Sequence, residues 1–278
     1  WKRQKIQEVL RVLVLSMPSP FWPLWLMALG FSSVLMLLIW AISVRIKNAG
    51  IVDIAWAGGF APLTWLYAYF GSGAQPKKII MIAMASGWSL RLAGHLYRRV
   101  MGHHPIEDAR YSQFRSKWGA SFNSKMLGFF QIQAVLLWVL SLPFLLVCLS
   151  QEPNVRPLEW AGLALWWIGF LGETLADRQL ASFAANPSNR GKICQHGLWN
   201  YSRHPNYFFE WLIWVAYFVF AAAQPHGLWT IYCPLLMLHF LLNVTGVKLA
   251  EEGSLKRRGE AYREYQKTTS AFIPWFKK

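Results

Sequence analysis

The chain has 278 residues, of which 55% are hydrophobic and only 15% charged. Soluble domains carry about 25% charged residues. The balance therefore excludes intrinsic disorder, which needs low hydrophobicity, and argues against a soluble globular domain. The net charge of +15 would suggest nucleic acid in a soluble protein. Here Lys and Arg fall in the gaps between long apolar runs, where they orient a membrane protein and meet anionic lipid, and no nucleic-acid partner is expected.

In chain order, the first sixteen residues, WKRQKIQEVLRVLVLS, are basic and then apolar. They read as a short amphipathic helix lying at an interface, and segment 1–20 is an interfacial or incomplete N-terminal piece. A bilayer core takes about 20 apolar residues as a helix. Seven candidate spans follow, at 21–42, 51–70, 78–97, 128–149, 158–176, 206–224 and 228–247. The expected fold is all-α: a polytopic membrane protein of about seven transmembrane helices forming one embedded domain over 21–278. The turn AQPHG between the last two spans predicts an antiparallel hairpin. Cys148, Cys194 and Cys233 are odd in number and match no zinc or redox spacing.

The connections 43–50, 98–127 and 177–205 and the tail from 248 hold 20 of the 28 Lys and Arg, against 7 on the other side. The positive-inside rule places the C-terminus in the cytosol, of a bacterial inner membrane or an endoplasmic reticulum. The ionisable residues in or beside spans are Asp53, Arg91, Glu173, Asp177, Glu210, Glu251 and Glu252. Intramembrane charge is costly and usually functional. In the seven-span arrangement all of these residues fall at the cytosolic face, which predicts a polar cavity there. A solvated interface is the competing reading, strongest for Glu251 and Glu252.

The loop 177–205 runs into the sixth span as GKICQHGLWNYSRHPNYFFEW. Lys192, Arg203 and His204 are cationic or donor groups. Asn206 and Tyr207 stand at a helix start, where free backbone N–H groups favour anions, and Glu210 follows on the same face. The cluster suits a phosphorylated or carboxylated cofactor, with anionic lipid as the alternative ligand. No clustered histidine boxes are present for a di-iron centre, and no GxGxxG or Walker loop.

GLWNYSRHPNYFFEW resembles the signature of a superfamily of membrane enzymes: steroid 5-alpha-reductases, sterol C14 reductases and isoprenylcysteine carboxyl methyltransferases. The chain is most similar to the branch resembling 3-oxo-5-alpha-steroid 4-dehydrogenases. It shares VDIAW at 52–56, SLRLAGHLYRR at 89–99, EDARY at 107–111, ADRQLASF at 176–183, GLWNYSRHPNYFFEW at 197–211 and EAYREYQKTTSAFIP at 260–274, with the signature region at about 160–274. The resemblance implies seven helices with NADPH at the cytosolic half of the last ones. Asn206, Tyr207 and Glu210 match the family's stretch near the nicotinamide, and Asp177 matches an acid contacting the cofactor. Lys192 holds a basic position before the GL pair, and Tyr262 and Tyr265 lie in a tail that folds back over the cofactor. Tyr201, Arg203, His204 and Glu251 complete the expected cofactor-binding set. Steroid-reducing members use a Gln–Glu pair in the second span and a Tyr in the third; here Val52–Asp53 and Trp88 stand there. Asp53, with Arg91, is then the expected stabiliser of a developing enolate, with Tyr67, Tyr97 and Tyr111 as reserve donors. The expected reaction is NADPH-dependent reduction of a carbonyl-conjugated C=C bond in a lipophilic, steroid-like or isoprenoid-like substrate that enters from the bilayer. The alternatives are an S-adenosylmethionine-dependent methyltransferase and a lipid-binding or transport protein.

Overall fold

The computed structural model describes residues 17–277. The expected N-terminal amphipathic helix lies outside the described residues. Among the described residues regular structure is entirely helical. Four segments are long and apolar enough to cross a membrane: Phe21–Ile46, Gln75–Met101, Ala109–Cys148 and Gly227–Arg258. The chain forms two compact units, one running up to Val155 and including Gln224–His226, the other comprising Arg156–Ala223 and Gly227 onward.

The first unit contains α1 (Phe21–Ile46), α2 (Ile51–Phe70), α3 (Gln75–Met101), α4 (Ala109–Trp118), α5 (Phe122–Leu140) and α6 (Leu142–Cys148). The contacts between α2 and α3 step in opposite directions along the two helices, which makes them antiparallel. Asp53 lies beside Arg99, Ala57 and Ala61 beside Ser89, and Trp65 beside Ser86. The Ser89 hydroxyl stands inside the α2 hydrogen-bond ladder: it accepts from Ala61 N–H (3.2 Å) and donates to Ala57 O (2.6 Å). Pro62, which has no N–H to give, follows immediately, and a side chain inserted into the i→i−4 ladder is a recognised way to bend a helix without orphaning its polar groups. α1 and α5 pair antiparallel as well, through Trp25–Trp138, Ser33–Gln131 and Trp40–Asn123. At the far end of α2, Lys78 is buried and gives its ammonium to Gly71 O at 2.5 Å, a cation on the carbonyl end of a helix as the macrodipole favours.

The predicted span 128–149 is two helices. Ser141 ends α5, and Pro143 sits in the first turn of α6, where a missing N–H costs nothing. All of α6 is buried, and the Tyr67 hydroxyl meets Ser141 Oγ beside it at 2.8 Å.

The second unit contains α7 (Pro157–Ala185), α8 (Pro205–Ala222), α9 (Tyr232–His239), α10 (Val247–Arg258) and α11 (Glu260–Thr268). α7 runs nine residues past the predicted end at 176, because the hydropathy window closes at Asp177 while the helix continues through Arg178 and Gln179. It begins with Pro157 at the first position, and the Glu159 carboxylate accepts the Arg156 N–H at 2.7 Å. α7 and α8 pack antiparallel at close range. A Cβ on Gly162 would lie 2.8 Å from Phe220 N, one on Gly169 2.7 Å from Ile213 Cγ1, and one on Gly172 2.4 Å from the Phe209 ring. The absent side chains let the helices approach. Gly169→Leu should therefore overpack the pair and destabilise this unit by about 1–3 kcal/mol, read as a lower melting temperature in detergent. An unchanged melting temperature would disprove the close packing.

The predicted span 228–247 is also broken. A 3-10 turn at Gly227–Ile231 precedes α9, and a π-helical turn at Phe240–Val244 follows it before Gly246 opens α10. α8 and α9 do pack together as the predicted hairpin requires, with Trp211 Nε1 donating to Pro234 O at 3.1 Å.

Candidate functional site

Each unit gathers the sequence motifs it contains into one polar network. In the first unit VDIAW, SLRLAGHLYRR and EDARY meet. Asp53, in the first turn of α2, accepts on Oδ1 from the Tyr111 hydroxyl (2.8 Å) and on Oδ2 from Arg110 Nη2 (2.8 Å). Arg99, in the last turn of α3, lies 3.9 Å from Asp53 and 3.5 Å from Asp108. Asp108 caps α4 by accepting Arg110 N–H at 3.0 Å, and it also holds the Arg110 side chain. Burial pushes the Asp108 carboxyl up, but the hydrogen bonds and charge of Arg110, with Arg99, outweigh burial and hold it below the usual range. Glu107 pins the α1–α2 loop by accepting Ala49 N–H at 2.7 Å, and Arg115 grips its two oxygens at 2.9 Å each.

Asp53, expected to stabilise a developing enolate, is itself held from two sides. Both of its oxygens receive donors, one of them a guanidinium, and a carboxylate so held is an acceptor. Tyr111, whose hydroxyl donates to it, is 2% exposed. Arg91 lies eight residues before Arg99, about two turns earlier on α3, and is half-buried. Trp88, at the position where the resemblance to steroid-reducing enzymes would place a Tyr, is fully buried against Phe60, ring centroids 5.3 Å apart.

In the second unit ADRQLASF, GLWNYSRHPNYFFEW and the tail meet. The facing positions of α7 and α8 carry a line of polar side chains through an otherwise apolar pair. Asn206 Nδ2 donates to Asp177 Oδ1 (3.2 Å), Trp214 Nε1 to Glu210 Oε1 (3.0 Å) and Trp166 Nε1 to the Tyr217 hydroxyl (3.2 Å). The antiparallel register puts Glu173 at the level of Glu210. Glu173, Asp177 and Glu210 are all buried. Asn206 Oδ1 is buried with no hydrogen-bond partner among the described residues. Asn206, Glu210 and Trp214 recur every four residues, so a helical wheel identifies the face. Trp214, Tyr217 and Trp166 carry no charge and are not among the residues the sequence predicts for the site.

The GL pair is set by α7. Gly197 has φ of +60°, and a Cβ there would lie 2.2 Å from the Gln179 amide. Gln179 Oε1 accepts Leu198 N–H at 2.9 Å, and the Trp199 indole donates to Ala176 O at 2.9 Å. Gln179 is a fourth residue that the motifs alone do not single out.

Arg203, expected to face a cofactor, instead ties the tail to the loop. It is 9% exposed. Its Nε and Nη2 reach Glu251 Oε1 at 2.7 Å each, and its Nη1 donates to Gln266 O (3.0 Å) and Thr269 O (2.5 Å). Glu251 also meets His204 Nε2 at 3.3 Å and accepts from Gln266 Nε2 at 2.8 Å. The tail does fold back, but onto the loop itself. The Tyr265 hydroxyl donates to Trp199 O, Ser202 Oγ to Phe272 O, and Trp275 N–H to Tyr201 O. Ser202 and Ser270 form a parallel bridge. Tyr262 lies against Ser254 and Arg203, and burial pushes the phenols of both Tyr262 and Tyr265 up. Tyr207 stacks on His204 with centroids 5.4 Å apart. Lys192 and Tyr201 are exposed.

Residues 39–269 match a family described as a protein of unknown function, DUF1295. The chain belongs to this DUF1295 family. The match spans every one of these motifs except the last five residues of the tail piece. An uncharacterized protein of Schizosaccharomyces pombe, C594.04c, is 28% identical over 264 residues, covering 85% of this chain and 75% of that protein. No solved structure matches significantly. The DUF1295 match takes in both polar networks, the one built on Asp53 and the one built on Glu210.

Proposed function

We propose that this DUF1295 protein is an integral membrane reductase that crosses the bilayer seven times, has its C-terminus in the cytosol and uses NADPH. Its substrate is a lipophilic molecule with a C=C bond conjugated to a carbonyl, taken from the bilayer. The observation that carries the reading is the buried Asp177–Asn206 and Glu210–Trp214 line at the start of α8. Buried polar groups need partners, and Asn206 Oδ1 has none among the described residues. An acceptor in that position fits an amide N–H donor such as a carboxamide. Glu210 is held by Trp214 through one oxygen, which fixes its rotamer. When bound, NADPH would supply a hydride to one carbon of the C=C bond; the electron pair would pass to the carbonyl oxygen as an enolate, which would take up a proton from water as the product leaves. Asn206 and Glu210 orient the ring that bears it, and the apolar faces of α7 and α8 keep water away. Lys192, Arg257 and Arg258 are the cations for its phosphates; the Nε of Arg258 is buried without a hydrogen-bond partner among the described residues.

Methyl transfer from S-adenosylmethionine is the second reading, and one observation favours it. The donors of Arg203 are spent on Glu251 and the tail, which removes one of the four cations that would favour a 2′-phosphate.

Glu210→Gln keeps the shape of the side chain and the acceptor for Trp214 while removing its charge. It should weaken NADPH binding about tenfold, the loss of roughly 1.4 kcal/mol, with little change in melting temperature. Wild-type affinity in that variant would remove Glu210 from the site.

A further inference from the structure

The C-terminal strap that follows α11 carries side chains on two sides with opposite character. Its backbone is fixed at three points to residues 201–203: the Ser202–Ser270 bridge, Ser202 Oγ to Phe272 O at 2.8 Å, and Trp275 N–H to Tyr201 O at 2.9 Å. Phe272 points inward, buried against Phe208 and Trp211 in the first two turns of α8, with centroids 5.7 and 6.0 Å away. Ile273, Trp275 and Phe276 point outward and are 57%, 67% and 76% exposed. Tyr201, 41% exposed, meets Phe276 edge to face at 6.1 Å. Four large side chains thus form one outward patch on a backbone that is held in place. Lys277 adjoins the patch and is exposed. The segment 248–277 carries seven Lys and Arg against four Glu.

We propose that this patch is a membrane-interface anchor, seated in the anionic headgroup layer at the cytosolic end of α8. Trp and Tyr prefer that depth, where an apolar ring meets a wet boundary, and Lys beside them pairs with anionic lipid. A soluble surface rarely exposes contiguous apolar side chains of this kind. On its inner side Phe272 rests on Phe208 and Trp211 in the first turns of α8; with α8 as one of the seven proposed spans, the outward neighbours of Phe272 stand at the level where that helix leaves the bilayer. The inference rests on the membrane-spanning reading and not on NADPH, so its failure leaves the reductase assignment standing.

The test uses the full chain with Phe276→Cys, labelled with the polarity-sensitive fluorophore NBD and reconstituted in nanodiscs. Residue 276 is exposed and Cys148 and Cys233 are fully buried; Cys194, in the loop, is replaced by Ser, so the label reports one place. One set of discs is zwitterionic phosphatidylcholine; the other contains one-third phosphatidylglycerol. The expected result is a blue-shifted emission quenched by shallow doxyl-lipid, deeper in the anionic discs and partly reversed by high salt. Emission at the aqueous wavelength with free quenching by iodide would overturn the anchor. So would a blue shift that appears only when two copies share a disc, which would make the patch a contact between copies.

Discussion

Arg203→Met should detach the C-terminal strap and cost this unit about 3–5 kcal/mol, the usual penalty for removing one partner of a buried, hydrogen-bonded ion pair. Arg203 is almost fully buried and serves Glu251, Gln266 O and Thr269 O at once. Without it the Glu251 carboxylate keeps only His204 and Gln266, and two tail carbonyls lose their donor. Met keeps most of the apolar stem, so the loss is of charge and hydrogen bonds rather than volume. Hydrogen exchange should rise across 260–276, and the melting temperature should fall. Gln266→Leu removes one donor to Glu251 and should cost about 1 kcal/mol. If Arg203→Met and Gln266→Leu melted alike with a protected strap, Arg203 would not be its keystone.

Asp53→Ala should be the second largest change. It leaves the Tyr111 hydroxyl, 2% exposed, without its acceptor, and Arg110 without one of its two carboxylates. Arg110 retains Asp108 at 3.1 Å and is partly exposed, so the loss is smaller than for Arg203, about 2 kcal/mol. Tyr111→Phe alone should cost about 1 kcal/mol. The double variant should be milder than the sum, because each change removes the same bond. Strict additivity, measured by thermal unfolding of the three proteins, would show that the pair does not act together.

The helical class and the existence of α1, α2, α3, α7 and α8 were legible because they depend on runs of apolar residues, which hydropathy reads directly. Helix ends were not, because the hydropathy signal stops at the first charge whereas the backbone ladder does not: α7 carries Asp177, Arg178 and Gln179 beyond the apolar window. The breaks at Ser141–Pro143, at Gly227–Ile231 and at Phe240–Val244 are not legible because an apolar run stays apolar across a break. Within the candidate site, spacing on one helix was readable. Asn206 and Glu210 lie four apart, and the same count extended once more finds Trp214. Pairings between distant segments were not. Nothing in the local sequence ties Asp53 to Arg110 and Tyr111, or Arg203 to Glu251. Those partners determine what each charge does: a basic residue in a loop read as a cofactor ligand, and its bonds make it a tie for the tail.

The central claim concerns a nucleotide at the start of α8. The most direct test is thermal shift of the detergent-purified protein, wild type and Glu210→Gln, titrated in parallel with NADPH, NADH and S-adenosylmethionine. Ligand that binds the folded state alone stabilises by about 2.7 kcal/mol at one hundred times its Kd. The account predicts a saturable shift with NADPH that is weaker in Glu210→Gln, and a smaller one with NADH. A shift with S-adenosylmethionine alone would contradict the reductase and establish the methyltransferase reading. No shift with any of the three, in a sample that melts cooperatively, would contradict both and leave a lipid-binding or transport protein.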